Sequence, residues 1–102
     1  MTDQRIIKAL IEQEMDDANR THTMFADSHH AYAVIREELE ETKEALVTCE
    51  GLLNDIWHRI RNDWEVETDL KLLQTYAGEV AREAIQVGAM AKKALESKVQ
   101  TK

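Results

Sequence analysis

Two acidic clusters recur at the spacing that places side chains on one face of a helix. The first contains Glu37, Glu38 and Glu41, and the second contains Glu83, followed three residues later by Gln86. Residues three or four apart on a helix are neighbours on its surface. Carboxylates gathered in a partly buried space either take up protons or bind a cation. Because magnesium and manganese prefer oxygen ligands, the two clusters indicate a candidate dication site suited to phosphate chemistry.

Long amphipathic helices are expected to position these carboxylates. In the first of them, residues 28 to 62, apolar positions alternate at spacings of four and three, which is the pattern of a packed helix. These positions are Tyr32, Ile35, Leu39, Thr42, Leu46, Cys49, Leu53, Ile56 and Ile60. Glu38 falls within this apolar stripe, Glu41 lies on its edge and Glu37 lies just outside it. A surface helix would turn its glutamates away from the stripe, so Glu38 requires an explanation.

A second long helix repeats the pattern. Its apolar positions again alternate at three and four: Leu70, Leu73, Ala77, Val80, Ala84, Val87, Ala91 and Ala94. Glu83 falls inside this apolar arc, and Gln86 lies on its edge. Each long helix therefore carries a polar site on its inner face.

Composition favours an all-α fold. The chain has 102 residues, no proline and 3 glycines, with 5% aromatic residues, which suits helix packing better than a sheet. We predict one domain over residues 1–102, with helices at about 3–20, 28–62 and 68–97. Helices of about 45–50 Å cannot form a round monomer. We therefore expect long antiparallel helices forming an oligomeric helical bundle, a homo-oligomer that is a dimer or tetramer; the alternative is an elongated three-helix bundle.

Charge and hydropathy exclude two classes of partner. The formal net charge is −7, so we expect no binding to a nucleic-acid polymer, whose backbone such a protein repels. No apolar run approaches the about 20 residues of a membrane span, and no signal-peptide pattern is present, so we expect no membrane partner and a cytoplasmic location. The single cysteine, Cys49, lies on the apolar stripe and agrees with a reducing compartment.

The acidic motifs resemble those of a known enzyme family. Glu37-Glu38-Leu39-Glu40-Glu41 fits an EExxE pattern, and Glu83-Ala84-Ile85-Gln86 is similar to an ExxD motif. Together they resemble the MazG-like, all-α nucleoside triphosphate pyrophosphohydrolases. The residues around them, 30–38 and 83–91, are similar to small MazG-like proteins of phages and prophages. The resemblance covers roughly residues 28 to 95.

The resemblance implies a reaction and roles for residues. Members of the family use Mg²⁺, or Mn²⁺, to cleave a nucleoside triphosphate into a monophosphate and pyrophosphate, and they are dimers or dimers of dimers. The resemblance implies that the metal ligands in this chain are Glu38, Glu41, Glu83 and Gln86. Glu37 is a further ligand or the base that orients the water, so the catalytic set is Glu37, Glu38 and Glu41.

This chain departs from the family pattern in two respects. Gln86 stands where the family has Asp, and an amide oxygen brings no charge to a dication, so activity is expected to be impaired. The two motifs are also widely spaced. If the hairpin turns near Trp64, Glu83 lies about five residues, roughly 7 Å, nearer the loop than Glu41. A bend at Gly51, or a ligand from a second subunit, would have to close that gap.

Three further residues are weaker candidates for binding substrate. His29 and His30 occupy the first turn of the second helix, an end that attracts phosphate, and Lys92 is a cation late in the third helix. The alternative function is a non-catalytic helical interaction or scaffold protein, phage-derived under the same resemblance, whose glutamates form salt bridges with arginine or lysine.

Overall fold

The computed structural model describes residues 3–21 and 24–97, and the side chains among them outside residues 18–21. It is all-helical over this part of the chain, with α1 at Gln4–Thr21, α2 at Ser28–Arg61 and α3 at Glu67–Glu96. The all-α prediction is confirmed. The long helices α2 and α3 form an antiparallel hairpin, and α1 packs on α3.

Local hydrogen bonds define the start of α2. The Asp27 carboxylate accepts from the His30 backbone N–H at 2.8 Å, and His30 Nδ1 accepts in return from the Ala26 N–H at 3.2 Å. These bonds satisfy donors that the first turn of a helix leaves unpaired. The preceding Phe25 is buried, and its N–H donates to Ser97 Oγ at 3.2 Å. The entrance to α2 is thereby fixed against the end of α3.

The connection between α2 and α3 sets their register. The Trp64 N–H donates to the Arg59 carbonyl and the Asp63 N–H to the Ile60 carbonyl, with Asp63 at a left-handed φ of 54°. This pair of bonds is a Schellman motif, which ends a helix and turns the chain back beside it. The Trp64 ring then contacts His58 edge-on, with ring centroids 5.7 Å apart.

An ion pair stabilises the same end of the hairpin. Arg59 Nε lies 2.8 Å from Asp69 Oδ2, and Asp69 is buried in the first turn of α3. The ion pair therefore holds the first turn of α3 beside the last turn of α2.

Helix α1 approaches α3 closely at a glycine. A Cβ atom added to Gly88 would lie 2.8 Å from Ile11 Cδ1 and 3.1 Å from Ile11 Cγ1, so a side chain at this position would require Ile11 to shift. Among the described residues α1 contacts α3 and does not contact α2. The order of the layers is therefore α1, α3, α2.

The apolar stripes of the two long helices are only half covered. In α2, Ile35, Thr42, Cys49 and Ile56 are buried or half-buried, whereas a second set at seven-residue spacing is exposed: Tyr32, Leu39, Leu46, Leu53 and Ile60. In α3, Leu73, Val80, Val87 and Ala94 are half-buried, whereas Leu70, Ala77, Ala84 and Ala91 are exposed. Contacts among the described residues therefore cover only one of the two seven-residue sets in each helix.

The molecule is elongated. Its extents are 56 × 26 × 22 Å and its radius of gyration is 17.5 Å, against about 13 Å for a compact chain of this length. Among the described residues no large side chain is fully buried. In the same part of the chain no helix carries an apolar stretch long enough to cross a bilayer.

We predict that Asp63→Gly stabilises the hairpin. A residue with a Cβ pays a steric penalty in the left-handed region that glycine avoids, so the free energy of unfolding should rise by about 0.5–1 kcal/mol after the entropic cost of glycine. Urea unfolding at fixed protein concentration measures this change. Glu65→Gly, two residues further along the same loop, is the control and should bring no gain. A loss of stability in Asp63→Gly would contradict the assigned turn.

We predict that Gly88→Leu displaces α1. The new side chain would overlap Ile11, and forced overpacking of this kind costs about 1–3 kcal/mol. Hydrogen exchange should then show lost protection in α1 while α2 keeps its protection. Gly78→Leu is the matched control, because a Cβ there meets nothing within 4 Å. Equal protection of α1 in both variants would contradict the packing described.

Candidate metal centre

Three carboxylates from two helices converge on one point of the hairpin. Glu38, Glu41 and Glu83 each offer one oxygen, and these oxygens all lie within 4.8 Å of one another. Glu38 and Glu41 project from adjacent turns of α2, and Glu83 projects from the facing side of α3. A single ion could bind all three, since carboxylate oxygens bind Mg²⁺ at about 2.1 Å.

The axial offset between Glu41 and Glu83 that was expected from the sequence is wrong. A turn centred near Trp64 would leave Glu83 about 7 Å nearer the loop than Glu41, yet the two carboxylates are neighbours. The Schellman turn is the physical reason, because it returns the chain alongside the last turn of α2. Helix α3 therefore starts lower along α2 and brings Glu83 level with Glu41. Neither a bend at Gly51 nor a ligand from a second subunit is needed.

Burial leaves two of the carboxylates incompletely bonded. Glu83 is 9% exposed and Glu38 is half-buried. The Oε2 atoms of both are enclosed and have no hydrogen-bond partner. A buried carboxylate oxygen without a partner is costly. An ion that accepted these two lone pairs would remove that cost.

One arginine lies beside the cluster. Arg82 Nη2 donates to Glu83 Oε1 at 2.7 Å and to Glu79 Oε2 at 2.9 Å. It therefore occupies one oxygen of Glu83 and leaves the other facing Glu38. The Arg82 side chain is more than half exposed, and its guanidinium pairs with Glu79 as well as with Glu83. Its single charge compensates the site only in part.

Mutual repulsion and burial raise the pKa of two members. For Glu38, burial is the main cause of the raised pKa, followed by the charges of Glu41, Glu83 and Glu37. For Glu41, hydrogen bonding to the adjacent Glu83 carboxylate is the main cause of the raised pKa, followed by burial and the charges of Glu83, Glu37 and Glu44. Without a cation, Glu38 and Glu41 therefore retain protons more readily than isolated glutamates do.

The other predicted ligands lie near the cluster without joining it. Glu37 is exposed on α2, and its charge raises the pKa of both Glu38 and Glu41. Gln86 is half-buried on α3, one turn after Glu83, on the edge of the same helix face. The set brought within ligand distance of one point is thus Glu38, Glu41 and Glu83.

The structure places the weaker substrate-binding candidates elsewhere. His30 is engaged in the cap of α2 and contacts Phe25 edge-on, and His29 is exposed beside it. Both lie more than two turns, roughly 12–14 Å, from Glu38 along α2. Lys92 pairs with Glu96 at 3.6 Å and lies about half a revolution around α3 from Glu83. None of the three borders the carboxylates.

A groove of about 280 Å³ opens beside the cluster. It lies between α2 and α3, and its lining includes Glu41 and Glu83 with five others: Glu44, Ala45, Thr48, Tyr76 and Glu79. Tyr76 and Thr48 were not singled out from the sequence, because the hairpin register decides which residues face each other. The four carboxylates that line the groove would repel phosphate, so an anionic ligand could enter the groove only together with cations.

Comparison with known proteins adds no residue roles. No protein-family model, no curated protein and no solved structure matches the chain. The geometry and charges of the cluster are therefore what supports any function assigned to it.

We predict that the metal-free protein loses stability as pH rises above the ordinary glutamate value. A carboxyl whose folded pKa is raised binds more protons when folded, so its unfavourable contribution grows as pH rises from about 4.5 through the folded value. Urea unfolding in EDTA between pH 4.5 and 7.5 measures the slope. Glu38→Gln should flatten it, whereas Glu40→Gln, on the exposed side of α2, should not. Equal slopes for the two variants would contradict the electrostatic account.

Proposed function

We propose that the chain is a magnesium-dependent nucleoside triphosphate pyrophosphohydrolase of MazG type. The observation that supports this most is the convergence of Glu38, Glu41 and Glu83 within 4.8 Å. It agrees with the resemblance of both acidic motifs to those of that family, since the two motifs lie far apart in sequence. The products would be a nucleoside monophosphate and pyrophosphate.

The donor set fits a hard dication. Three carboxylates supply only oxygens, which select magnesium or manganese over softer metals. The enclosed Oε2 atoms of Glu38 and Glu83 are free to accept, and Glu41 is exposed beside them, so the site is open on one side. When bound, Mg²⁺ would neutralise phosphate charge and make a bound water more acidic.

The role proposed for each glutamate follows from how exposed its side chain is. Glu38 and Glu83, the more buried pair, would hold the ion, and Glu41 would complete the set at the mouth of the groove. Glu37 is exposed and next to them, which supports a role for it in accepting a proton from the attacking water. The groove lined by Thr48 and Tyr76 would accommodate substrate. Water adds to phosphorus, the bond between the α and β phosphates breaks, and the proton passes to Glu37.

Gln86 would reduce metal affinity relative to an aspartate. Its amide oxygen can bind Mg²⁺, but it contributes no charge to a site whose affinity comes largely from charge. We therefore propose an enzyme that requires millimolar metal. Gln86→Asp should lower the metal concentration that gives half-maximal activity.

A second candidate has an observation of its own. Arg82 donates to both Glu79 and Glu83, which is the arrangement of a non-catalytic helical scaffold whose glutamates form salt bridges. Arg82→Gln distinguishes the two proposals. It should strengthen metal binding if the site is for an ion, and it should only destabilise the hairpin if the arginine is the intended partner.

We predict that magnesium stabilises the protein and supports release of pyrophosphate. Metal at 100 times its dissociation constant contributes about 2.7 kcal/mol, so the melting temperature should rise by roughly 10 °C or more. Glu38→Gln and Glu83→Gln should abolish both the rise and pyrophosphate release from a panel of canonical and modified nucleoside triphosphates.

The matched control for this experiment is Glu40→Gln, two residues from Glu38 on the exposed side of α2. It should keep both the metal-induced rise and the activity. A metal-induced rise without turnover of any triphosphate, with Mn²⁺ also supplied, would leave a dication site and overturn the enzyme. Absence of both effects would overturn the metal site as well.

A further inference from the structure

The groove beside the carboxylate cluster runs along the hairpin from the cluster toward the loop. Glu41 and Glu83 lie at one end of it. Tyr76 comes seven residues before Glu83 on α3, which places it about 10 Å further along the helix axis. Thr48, seven residues after Glu41 on α2, is displaced in the same direction, because the two helices are antiparallel. The groove is therefore about as long as a nucleotide is from its phosphate to its base.

The size of the groove suits a nucleoside. Its volume is about 280 Å³, near the lower limit for sites that hold a small ligand. Phosphates bound with a metal ion at the cluster would lie beside Glu83, which is 9% exposed and whose Oε2 has no partner. The sugar and base of the same molecule would then extend toward Tyr76, the aromatic residue of the lining.

The groove offers many hydrogen-bond acceptors and few donors. Four of its seven lining side chains are carboxylates: Glu41, Glu44, Glu79 and Glu83. An ionised carboxylate can only accept a hydrogen bond. The Thr48 hydroxyl already donates to the Glu44 carbonyl at 3.2 Å, so the Tyr76 hydroxyl is the one donor left among these seven side chains. The groove therefore favours a base that presents N–H donors over one that presents carbonyl oxygens.

Glu79 is the carboxylate that lies beside Tyr76 on the same helix. The two residues are three apart on α3, so they share a face of the helix, and both line the groove. Arg82 donates through Nε and Nη2 to Glu79 Oε2, at 3.0 and 2.9 Å. These bonds hold the carboxylate in place. Within the described part of the chain, Oε1 of Glu79 accepts no hydrogen bond, so it can accept one from a ligand.

We propose that Tyr76 and Glu79 bind the nucleobase, and that the groove selects bases carrying an amino group: cytosine, adenine and guanine rather than uracil and thymine. This rests on the proposed function, because it takes the phosphates to be bound at the carboxylate cluster. The base stacks on the Tyr76 ring, which any base can do, and its amino group donates to Glu79. Uracil and thymine carry a carbonyl oxygen where cytosine carries its amino group, and a carboxylate repels that oxygen.

Calorimetric titration of the full chain with the α,β-methylene analogues of cytidine and uridine triphosphate tests base selection. These analogues lack the bond that the proposed reaction breaks, so binding is measured without turnover. The two bases differ where cytosine has an amino group and uracil has a carbonyl. With Mg²⁺ supplied, the cytidine analogue should bind about 10-fold more tightly or better, as a hydrogen bond to a charged group allows.

Glu79→Gln should make the two dissociation constants nearly equal, because an amide can turn to accept from an amino group or to donate to a carbonyl. Glu44→Gln is the matched control, since it removes the same charge from the same groove. Glu44 lies near Glu41, whose raised pKa it helps to cause, so the preference for cytidine should remain in this variant. Persistence of the preference in Glu79→Gln, or its equal loss in both variants, would overturn the assignment to Glu79.

Inorganic tripolyphosphate, which has the phosphates and no base, tests the role of Tyr76. Tyr76→Ala should weaken binding of both nucleotide analogues about 10-fold and leave the affinity for tripolyphosphate unchanged. Tyr76→Phe should keep the affinity for all three ligands, because the ring remains. An equal loss of tripolyphosphate affinity in Tyr76→Ala would overturn stacking of the base on this ring.

Failure of base selection and failure of the phosphate site give different titration results. Equal, metal-dependent binding of the two analogues by the wild type would overturn base selection and leave the proposed phosphate site. Binding of neither analogue nor tripolyphosphate, with Mg²⁺ or Mn²⁺ supplied, would overturn the phosphate site and base selection with it.

Discussion

Repulsion among Glu38, Glu41 and Glu83 is the constraint around which the hairpin is built. Three carboxylates within 4.8 Å oppose the association of α2 with α3. The apolar contacts on either side of them must outweigh that opposition, and the raised pKa values of Glu38 and Glu41 favour protonation, which relieves it in part. An ion would relieve it more fully. A cluster of this kind contributes little to folding as such, so its presence in the contact between two helices indicates a function.

The arrangement divides the hairpin into sides with different chemistry. One side carries the acidic groove with Tyr76 and Thr48. The other carries apolar residues that the described part of the chain leaves exposed. Helix α1 lies against α3 at Gly88 and does not contact α2 among the described residues. A helix with three faces in use explains why the sequence of α3 has apolar, small and acidic residues so closely interleaved.

The turn between α2 and α3 links these features. A Schellman motif with Asp63 in the left-handed region and the bond between Arg59 and Asp69 fix the axial position of α3. That position brings Glu83 to Glu41. One short loop therefore decides where the carboxylate cluster forms.

Sequence periodicity was enough to predict an all-α fold and glutamates on the inner faces of two helices, because helical geometry fixes which residues share a face. It misplaced Glu83 relative to Glu41 along the hairpin, and it did not distinguish the covered half of each stripe from the exposed half. Both are relations between helices, set by a turn geometry and by packing partners that residue spacing along one helix does not contain. Only the tertiary structure decided them.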